Sequence, residues 1–302
     1  MNEEHLKLVT EIAADCGVLS ETGRRLSELT SLGLGGEIRL LLRPRTIASL
    51  SSLLRELHRG GIPFRTLGGG ANIAGGPGPF EEPVILTRTL KQEPEFEGTT
   101  VRAGGGFNIK RLVRACVARN LAGLEWAEGI PGTVGGALVT NAGSYGSEFG
   151  QSVTEAAWLA EDGSIRRRRL GPADFSYRES PLRDEGIVVE GLFTLREDEA
   201  EAVRGRMRAF QARRIQSQPP GERSAGCIFK NPPGDSAGRI IDASGLKGLS
   251  VGGVVVSEVH ANFIVNRGDA TSEDLFRLID MIKENVLRES GIELMEEVVR
   301  WK

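Results

Sequence analysis

Apolar residues recur at helical spacing in three windows of the chain. Ile47, Leu50, Leu53, Leu54 and Leu57 share one face of a segment that Thr46 can cap and Gly60-Gly61 can end. Ile109, Leu112, Val113, Cys116 and Val117 predict a second helix after "VRAGGG", with Cys116 as core filling. Leu275, Leu278, Ile279, Ile282, Val286 and Leu287 line a third, opened by a Thr271–Asp274 capping box and stopped at Gly291. The pattern changes to short runs in "IPFRTL" and, between 153 and 195, in "SVTEAAWLA", "SIRRRRL" and "GIVVEGLFTL", which read as strands separated by Gly and Asp turns. The arginines at 166–169 fall on such a strand and read as a solvated edge. A charged, proline-free helix over 197–217 ends at "SQPPGERSAG" and reads as the join between two domains. A last strand is predicted in "IELMEEVVRW". Strands and helices interleave on both sides of the join, which predicts an α+β protein of at least two units, with changes of character near residues 35 and 200.

Composition narrows the function classes. The 302 residues are 39% hydrophobic, enough for packed cores, and the formal net charge of -3 gives no case for a nucleic-acid-binding surface. The opening "MNEEHLKLVTEIAADCG" carries acids where a secretory signal carries a basic cluster, and no apolar run approaches the roughly 20 residues of a membrane span. A cytoplasmic protein is expected. Three cysteines without a C-x-x-C pair and three histidines suggest neither a disulfide framework nor a metal site.

The 40 glycines carry more information. They cluster in "LGLGGE", "LGGGANIAGG", "AGGGFN" and "GIPGTVGGALVTNAGSYGSEFG", and glycine lets backbone N–H groups close around phosphate oxygens with no Cβ in the way. Any one cluster reads more simply as a tight turn, but four in the first half of the chain point to a large anionic ligand. Each G-x-G fails the G-x-G-x-x-G pattern and no glycine is followed by lysine and a hydroxyl residue, so neither a Rossmann site nor a P-loop is present.

In order along the chain, "GGGAN", "GLEWAEGIPGTVGGALVTNAGSYG", "FSYRES", "AGCIFKNP", "AGRIIDASGLKG" and "HANFIVN" resemble the UDP-N-acetylenolpyruvoylglucosamine reductases, flavoenzymes that complete UDP-N-acetylmuramic acid for peptidoglycan. The resemblance spans roughly Leu29 to Val299, and the short connection after "FSYRES" resembles the shorter subtype. It implies a helical segment over 1–33, a two-lobed FAD-binding domain of the vanillyl-alcohol-oxidase type over 34–200, and a substrate-binding domain over 201–302. It also implies NADPH as reductant, UDP-N-acetylglucosamine enolpyruvate as substrate and a monomer, with no nucleic acid or membrane partner.

The site residues follow from the resemblance, position by position. Gly68, Gly69, Gly70, Ala71 and Asn72 would hold the FAD pyrophosphate, with Gly129, Pro131, Gly132, Thr133, Gly135 and Gly136 as a second cradle. Ile187 and Val188 are expected against the flavin, although apolar strand residues are more often plain core. Hydride addition to an enolpyruvyl ether pushes charge onto its carboxylate, which calls for a fixed cation and an acid. Arg178 in "SYRES" matches the arginine on that carboxylate, and its planar fork suits bidentate binding. Glu297 matches the C-terminal glutamate, expected with a raised pKa beside the forming charge. Its neighbour Glu296 competes for the role, and strand alternation would put the two on opposite faces. Cys227 stands where most of the family has serine, the proton donor, and an ordinary thiol of pKa about 8.5 is a far stronger acid than a hydroxyl. Lys230 and Asn231 match substrate neighbours, while Tyr145, Arg214 and His260 are weaker candidates, with a structural histidine the better reading of His260.

Two departures stand out. Gly33 occupies the place of an arginine in the family's T-x-x-R-x-G-G pattern, and "GGGANIAGG" lacks an acid that usually follows the loop. The alternatives are a flavin oxidase, which would often attach its flavin through histidine, and a flavin-binding protein without catalysis. His5, His58 and His260 all lie outside the glycine clusters, which disfavours the oxidase.

Overall fold

The structure, a computed structural model, describes residues 2–90 and 92–302. The expected helices form with the expected ends. Thr46 Oγ1 accepts from Ser49 N–H at 3.0 Å to open Ile47–Arg59, and Leu50, Leu53, Leu54 and Leu57 are buried along it. Thr271 and Asp274 form the capping box of Ser272–Ser290, which Gly291 ends in the left-handed conformation. Such caps satisfy backbone groups that a helix end leaves without partners.

Two compact units are present. One gathers the N-terminal stretch up to Thr22 with Arg39–Gly69 and Glu82–Ala212; the other gathers Gly23–Ile38, Gly70–Glu81 and Arg213–Lys302. This differs from the contiguous stretches 1–33, 34–200 and 201–302 expected above. Pairing explains the difference: Ile73–Gly75 runs parallel to the C-terminal strand Val299–Trp301, and Arg24–Arg25 pairs with Glu37–Ile38, so early segments pack with the end of the chain.

The first unit contains two sheets. Leu19–Glu21, Leu41–Arg43, Val84–Leu86 and Arg65–Leu67 form a four-stranded sheet in that order, with the helices Glu3–Asp15 and Ile47–Arg59 sharing its core. The stretch 1–33 is therefore helical only in part. The second sheet is antiparallel, in the order Ile165–Arg169, Val153–Leu159, Ile187–Thr194, Thr100–Gly104 and Glu95–Glu97. The helices Ile109–Val117 and Val134–Thr140 share the core on one of its faces. Ile165–Arg169 is an exposed edge strand, its Arg167 paired with Glu155 and Glu190, as expected of a solvated edge.

The second unit is built on the antiparallel order Arg223–Cys227, Phe263–Asn266, Val254–Val256, Ser250–Val251, with the helices Ala237–Ala243 and Ser272–Ser290 in its core. The α+β class is confirmed. The closing strand is shorter than the sequence suggested, only Val299–Trp301. Before it the adjacent Glu296 and Glu297 are both half-buried, which a regular two-residue alternation does not produce. Among the described residues no group of side chains could hold a metal ion and no helix is long and apolar enough to cross a membrane.

Cys116 is 1% exposed, and burial pushes its thiol up to about 12. In the unfolded chain the same thiol titrates near about 8.5. Folding therefore favours the protonated form, and this contribution is complete below about pH 8.5 and lost as pH rises toward 12. Iodoacetamide at pH 8 should spare Cys116 in the native protein and label it in urea, read by peptide mass spectrometry; equal labelling in both states would refute a packed thiol.

Candidate functional site

In the first unit the strand Arg65–Leu67 leads into Gly68 and Gly69, and these residues meet the loop before the helix Val134–Thr140. A Cβ on Gly69 would lie 2.5 Å from the Gly132 Cα, and one on Gly68 would lie 2.9 Å from Thr133 Oγ1. Backbone meets backbone here, which only glycine allows. The N–H groups of Gly68, Gly69, Gly132 and Thr133 donate to no described residue. Thr133 itself caps the helix, its Oγ1 accepting from Gly136 N–H at 3.4 Å. Neighbouring donors of this kind are suited to an anion such as a pyrophosphate.

The same cradle continues through Gly105 and Gly135. Gly135 N–H donates to the Gly105 carbonyl at 2.8 Å, and a Cβ on either glycine would press on the Val188 carbonyl. Ile187 and Val188 lie on the strand that borders these glycines. Both side chains are buried, in separate cores of the unit, and it is the Val188 carbonyl that borders the glycines. Gly129 is left-handed and Pro131 is exposed on the same loop, while Gly136 is exposed in the first turn of the helix Val134–Thr140.

Arg178 also lies in the first unit, on a tight turn between Ser176 and Glu179, whose backbones exchange bonds of 3.0 and 3.3 Å. Its φ of 59° is left-handed, an uncommon state for a side-chain-bearing residue and a kind of strain that collects at functional sites. The guanidinium donates to the Gly143 carbonyl at 3.0 Å, and Arg183 donates to the Arg178 carbonyl at 2.7 Å. Tyr145, at the tip of the hairpin formed by Gly143–Ser144 and Ser147–Glu148, stacks on Phe210 with ring centroids 5.4 Å apart.

In the second unit the segment after the strand Arg223–Cys227 is held from two sides. Asn262, 2% exposed, accepts from Phe229 N–H at 2.9 Å and donates to its carbonyl at 2.8 Å. On the other side Lys230 N–H donates to Met295 and Glu297 N–H donates to Ile228, both at 2.8 Å. Cys227 and Glu297 therefore stand on neighbouring segments. Asn72 joins them, its side-chain amide donating to the Glu297 carbonyl at 3.1 Å. Gly70 precedes it in a left-handed turn with its carbonyl accepting from Ser31, and Ala71 lies between.

Of the two adjacent glutamates, Glu296 sits in an ion network. Glu296 binds Arg300 through both carboxylate oxygens, at 2.6 and 2.8 Å, and Lys283 at 3.2 Å. That ion network occupies its carboxylate. The two glutamates precede the strand Val299–Trp301, so strand alternation does not apply to them.

Other candidates are bound to their own surroundings. Asn231 Oδ1 accepts from Ala237 N–H at 3.0 Å, and Arg214 donates to Gln218 at 2.9 Å. Lys230 carries no ion pair with a described residue. His260 Nδ1 accepts from Asn262 N–H at 3.2 Å and its ring packs 4.7 Å from that of Phe263, a structural histidine. At Gly33 φ is 70°, and a Cβ there would come within 3.3 Å of the Arg223 side chain, which accounts for a glycine at this position.

Comparison with known proteins places this arrangement. Residues 218–301 match the family model for the C-terminal domain of UDP-N-acetylenolpyruvoylglucosamine reductase, and residues 38–168 match that of an FAD binding domain. The reductase of Moorella thermoacetica is 41% identical over 280 residues, covering 93% of this chain and 92% of that protein. One from Symbiobacterium thermophilum is 40% identical over 282 residues, covering 91% and 90%. The chain belongs to the UDP-N-acetylenolpyruvoylglucosamine reductase family. The crystal structure of the reductase from Thermus caldophilus superposes with a TM-score of 0.78 at 33% identity, covering 94% of this chain and 99% of that one.

Within this reductase family fold, two buried amides escaped the sequence reading. Asn141 and Asn262 both fall inside the quoted motifs, and burial turns them into clamps on backbone, a role that one-dimensional pattern does not express.

Burial holds His260 below the ordinary imidazole range. The folded state prefers the neutral ring, so its contribution to stability is complete above about pH 6.5 and falls as pH drops through the folded pKa. His260→Gln, which keeps an acceptor for Asn262, should flatten the acid limb of a urea-denaturation series between pH 7 and 5. An unchanged acid limb would contradict this assignment.

Proposed function

We propose that the protein is an NADPH-dependent FAD enzyme that reduces UDP-N-acetylglucosamine enolpyruvate to UDP-N-acetylmuramate. The observation that supports this most is the juxtaposition of the Cys227 and Glu297 segments within the second unit, in a chain that matches reductases over nine-tenths of its length. The glycine cradle fits the cofactor, since Gly68, Gly69, Gly132 and Thr133 offer backbone donors with no side chain to obstruct a pyrophosphate. Gly68, Gly69, Gly132 and Thr133 would hold FAD by its pyrophosphate, and the cofactor, reduced by NADPH, would contribute the hydride for the methylene carbon of the enolpyruvyl ether.

The chain's own residues handle the charge and the proton. Arg178 binds the substrate carboxylate, where negative charge grows as the double bond is reduced, and a preorganised guanidinium stabilises that charge more than the starting carboxylate. Cys227 gives its thiol proton to the carbon that bears the ether oxygen. Glu297, whose neighbour Glu296 is taken up by Arg300 and Lys283, supports the developing charge as a hydrogen-bonding acid. One hydride and one proton add across the double bond, and the thiolate regains its proton from solvent. Asn72, Lys230, Asn231, Tyr145, Arg214 and His260 are secondary candidates for contacts to cofactor or nucleotide. Of these, Asn231 and His260 have the weaker case, because their acceptor atoms already serve the backbone.

Purified protein should be yellow and should consume NADPH only when the enolpyruvyl substrate is added. Cys227→Ser should retain activity within about tenfold. Cys227→Ala should leave flavin reduction by NADPH intact and slow product formation by about a hundredfold or more, in the range of general-acid contributions. Normal turnover by the alanine variant would remove Cys227 from the mechanism, and NADPH-independent oxygen consumption with an alcohol would favour an oxidase instead.

A further inference from the structure

Four residues other than glycine have a left-handed φ among those described, and three of them, Asn141, Tyr145 and Arg178, belong to one patch of the first unit. Asn141 is at its centre and is 0% exposed. It ends the helix Val134–Thr140 with φ 43°, and the next residue, Ala142, donates back to Ala137 at 2.8 Å. A helix end in this conformation most often takes glycine, so the sequence keeps a carboxamide where none is needed for the turn.

Both ends of that carboxamide are used. Oδ1 accepts from Gly150 N–H and Nδ2 donates to the Ser176 carbonyl, each at 2.9 Å. Ser176 is the first residue of the turn that carries Arg178, and its carbonyl also receives Glu179 N–H at 3.0 Å. From the top of that turn the Arg178 guanidinium reaches back to the carbonyl of Gly143, two residues beyond Asn141. The result is a closed circuit: Asn141 side chain to Ser176, along the turn to Arg178, across to Gly143, and through two residues of backbone to Asn141 again. One buried amide fixes both the base of the arginine and the carbonyl its head group meets. Gly150 adds rigidity, since a Cβ there would lie 2.5 Å from the Phe175 ring, one residue before Ser176.

We propose that Asn141 is a positioning residue that holds Arg178 in its strained turn. The proposal deepens the reductase reading, on which the role of Arg178 rests. Asn141→Gly removes the carboxamide and keeps a backbone that accepts the left-handed helix end. Flavin content and the rate of flavin reduction by NADPH should stay within about twofold of the wild type. Reoxidation by the enolpyruvyl substrate under anaerobic rapid mixing should slow about ten- to a hundredfold, the scale of a small misplacement of a catalytic group. Hydrogen exchange at the Glu179 amide, which needs no substrate, should accelerate at least about tenfold. Asn141→Asp keeps the acceptor for Gly150 and loses the donor to Ser176, and should show the same two changes if the glycine variant folds poorly. Unchanged exchange at Glu179, or a parallel loss of both half-reactions together with flavin, would overturn the proposal. Faster exchange in the variant combined with a wild type that never transfers electrons to the enolpyruvyl substrate would overturn the reductase reading and leave the positioning role standing.

Discussion

The close approach of two backbones, Gly69 against Gly132, is the constraint on which the glycine cradle of the first unit depends. With 2.5 Å between a would-be Cβ and the opposing Cα, no side chain fits at Gly69 without moving one loop. The absence of side chains leaves the N–H groups of both loops without acceptors in the described residues, a state that normal proteins avoid unless water or a ligand completes the bonds. The fold tolerates this because the loops are anchored at their flanks. Arg65–Leu67 pairs with Val84–Leu86 on one side, and on the other Thr133 caps a helix while Gly135 and Val134 are bonded to Gly105 and Phe107. A rigid, donor-rich, side-chain-free surface is the preorganised form that binding a large dianion requires.

The two units solve a common problem in the same way. Each carries a candidate site residue on or beside irregular backbone, whose polar groups burial would leave without partners. In the first unit Asn141 bonds Ser176 and Gly150; in the second Asn262 bonds both the N–H and the carbonyl of Phe229, two residues beyond Cys227. A side-chain amide offers a donor and an acceptor a fixed distance apart, which matches a strand edge or turn. A single such bond contributes about 1 kcal/mol, whereas leaving a buried partner unsatisfied costs about 1–3 kcal/mol. The amides therefore specify one conformation more than they stabilise the fold.

The sequence revealed those features whose physics is local or periodic. Helices with a continuous apolar face and a capping residue at Thr46 or Thr271 were legible to within a few residues, as were the strands at 153–159, 165–169 and 187–194. Cys116 was recognisable as core from its helical spacing alone. What pattern could not show were associations between distant segments. The parallel pairing of Ile73–Gly75 with Val299–Trp301, and the inclusion of residues 23–38 in the second unit, have no local signature. The ion network of Glu296 shows the same limit, since its partners come from residues 283 and 300. Gly105, in the cluster "AGGGFN", comes as close to the Val188 carbonyl as any glycine of the chain, a contact that its local sequence does not show.

The central claim is that electrons pass from NADPH to the enolpyruvyl ether by way of a flavin held in the glycine cradle. Mixing the NADPH-reduced protein with UDP-N-acetylglucosamine enolpyruvate in the absence of oxygen tests it directly. The account predicts that the oxidised flavin spectrum returns in proportion to substrate added, one equivalent for each flavin, with UDP-N-acetylmuramate formed in the same amount. A flavin that stays reduced until oxygen is admitted would contradict it.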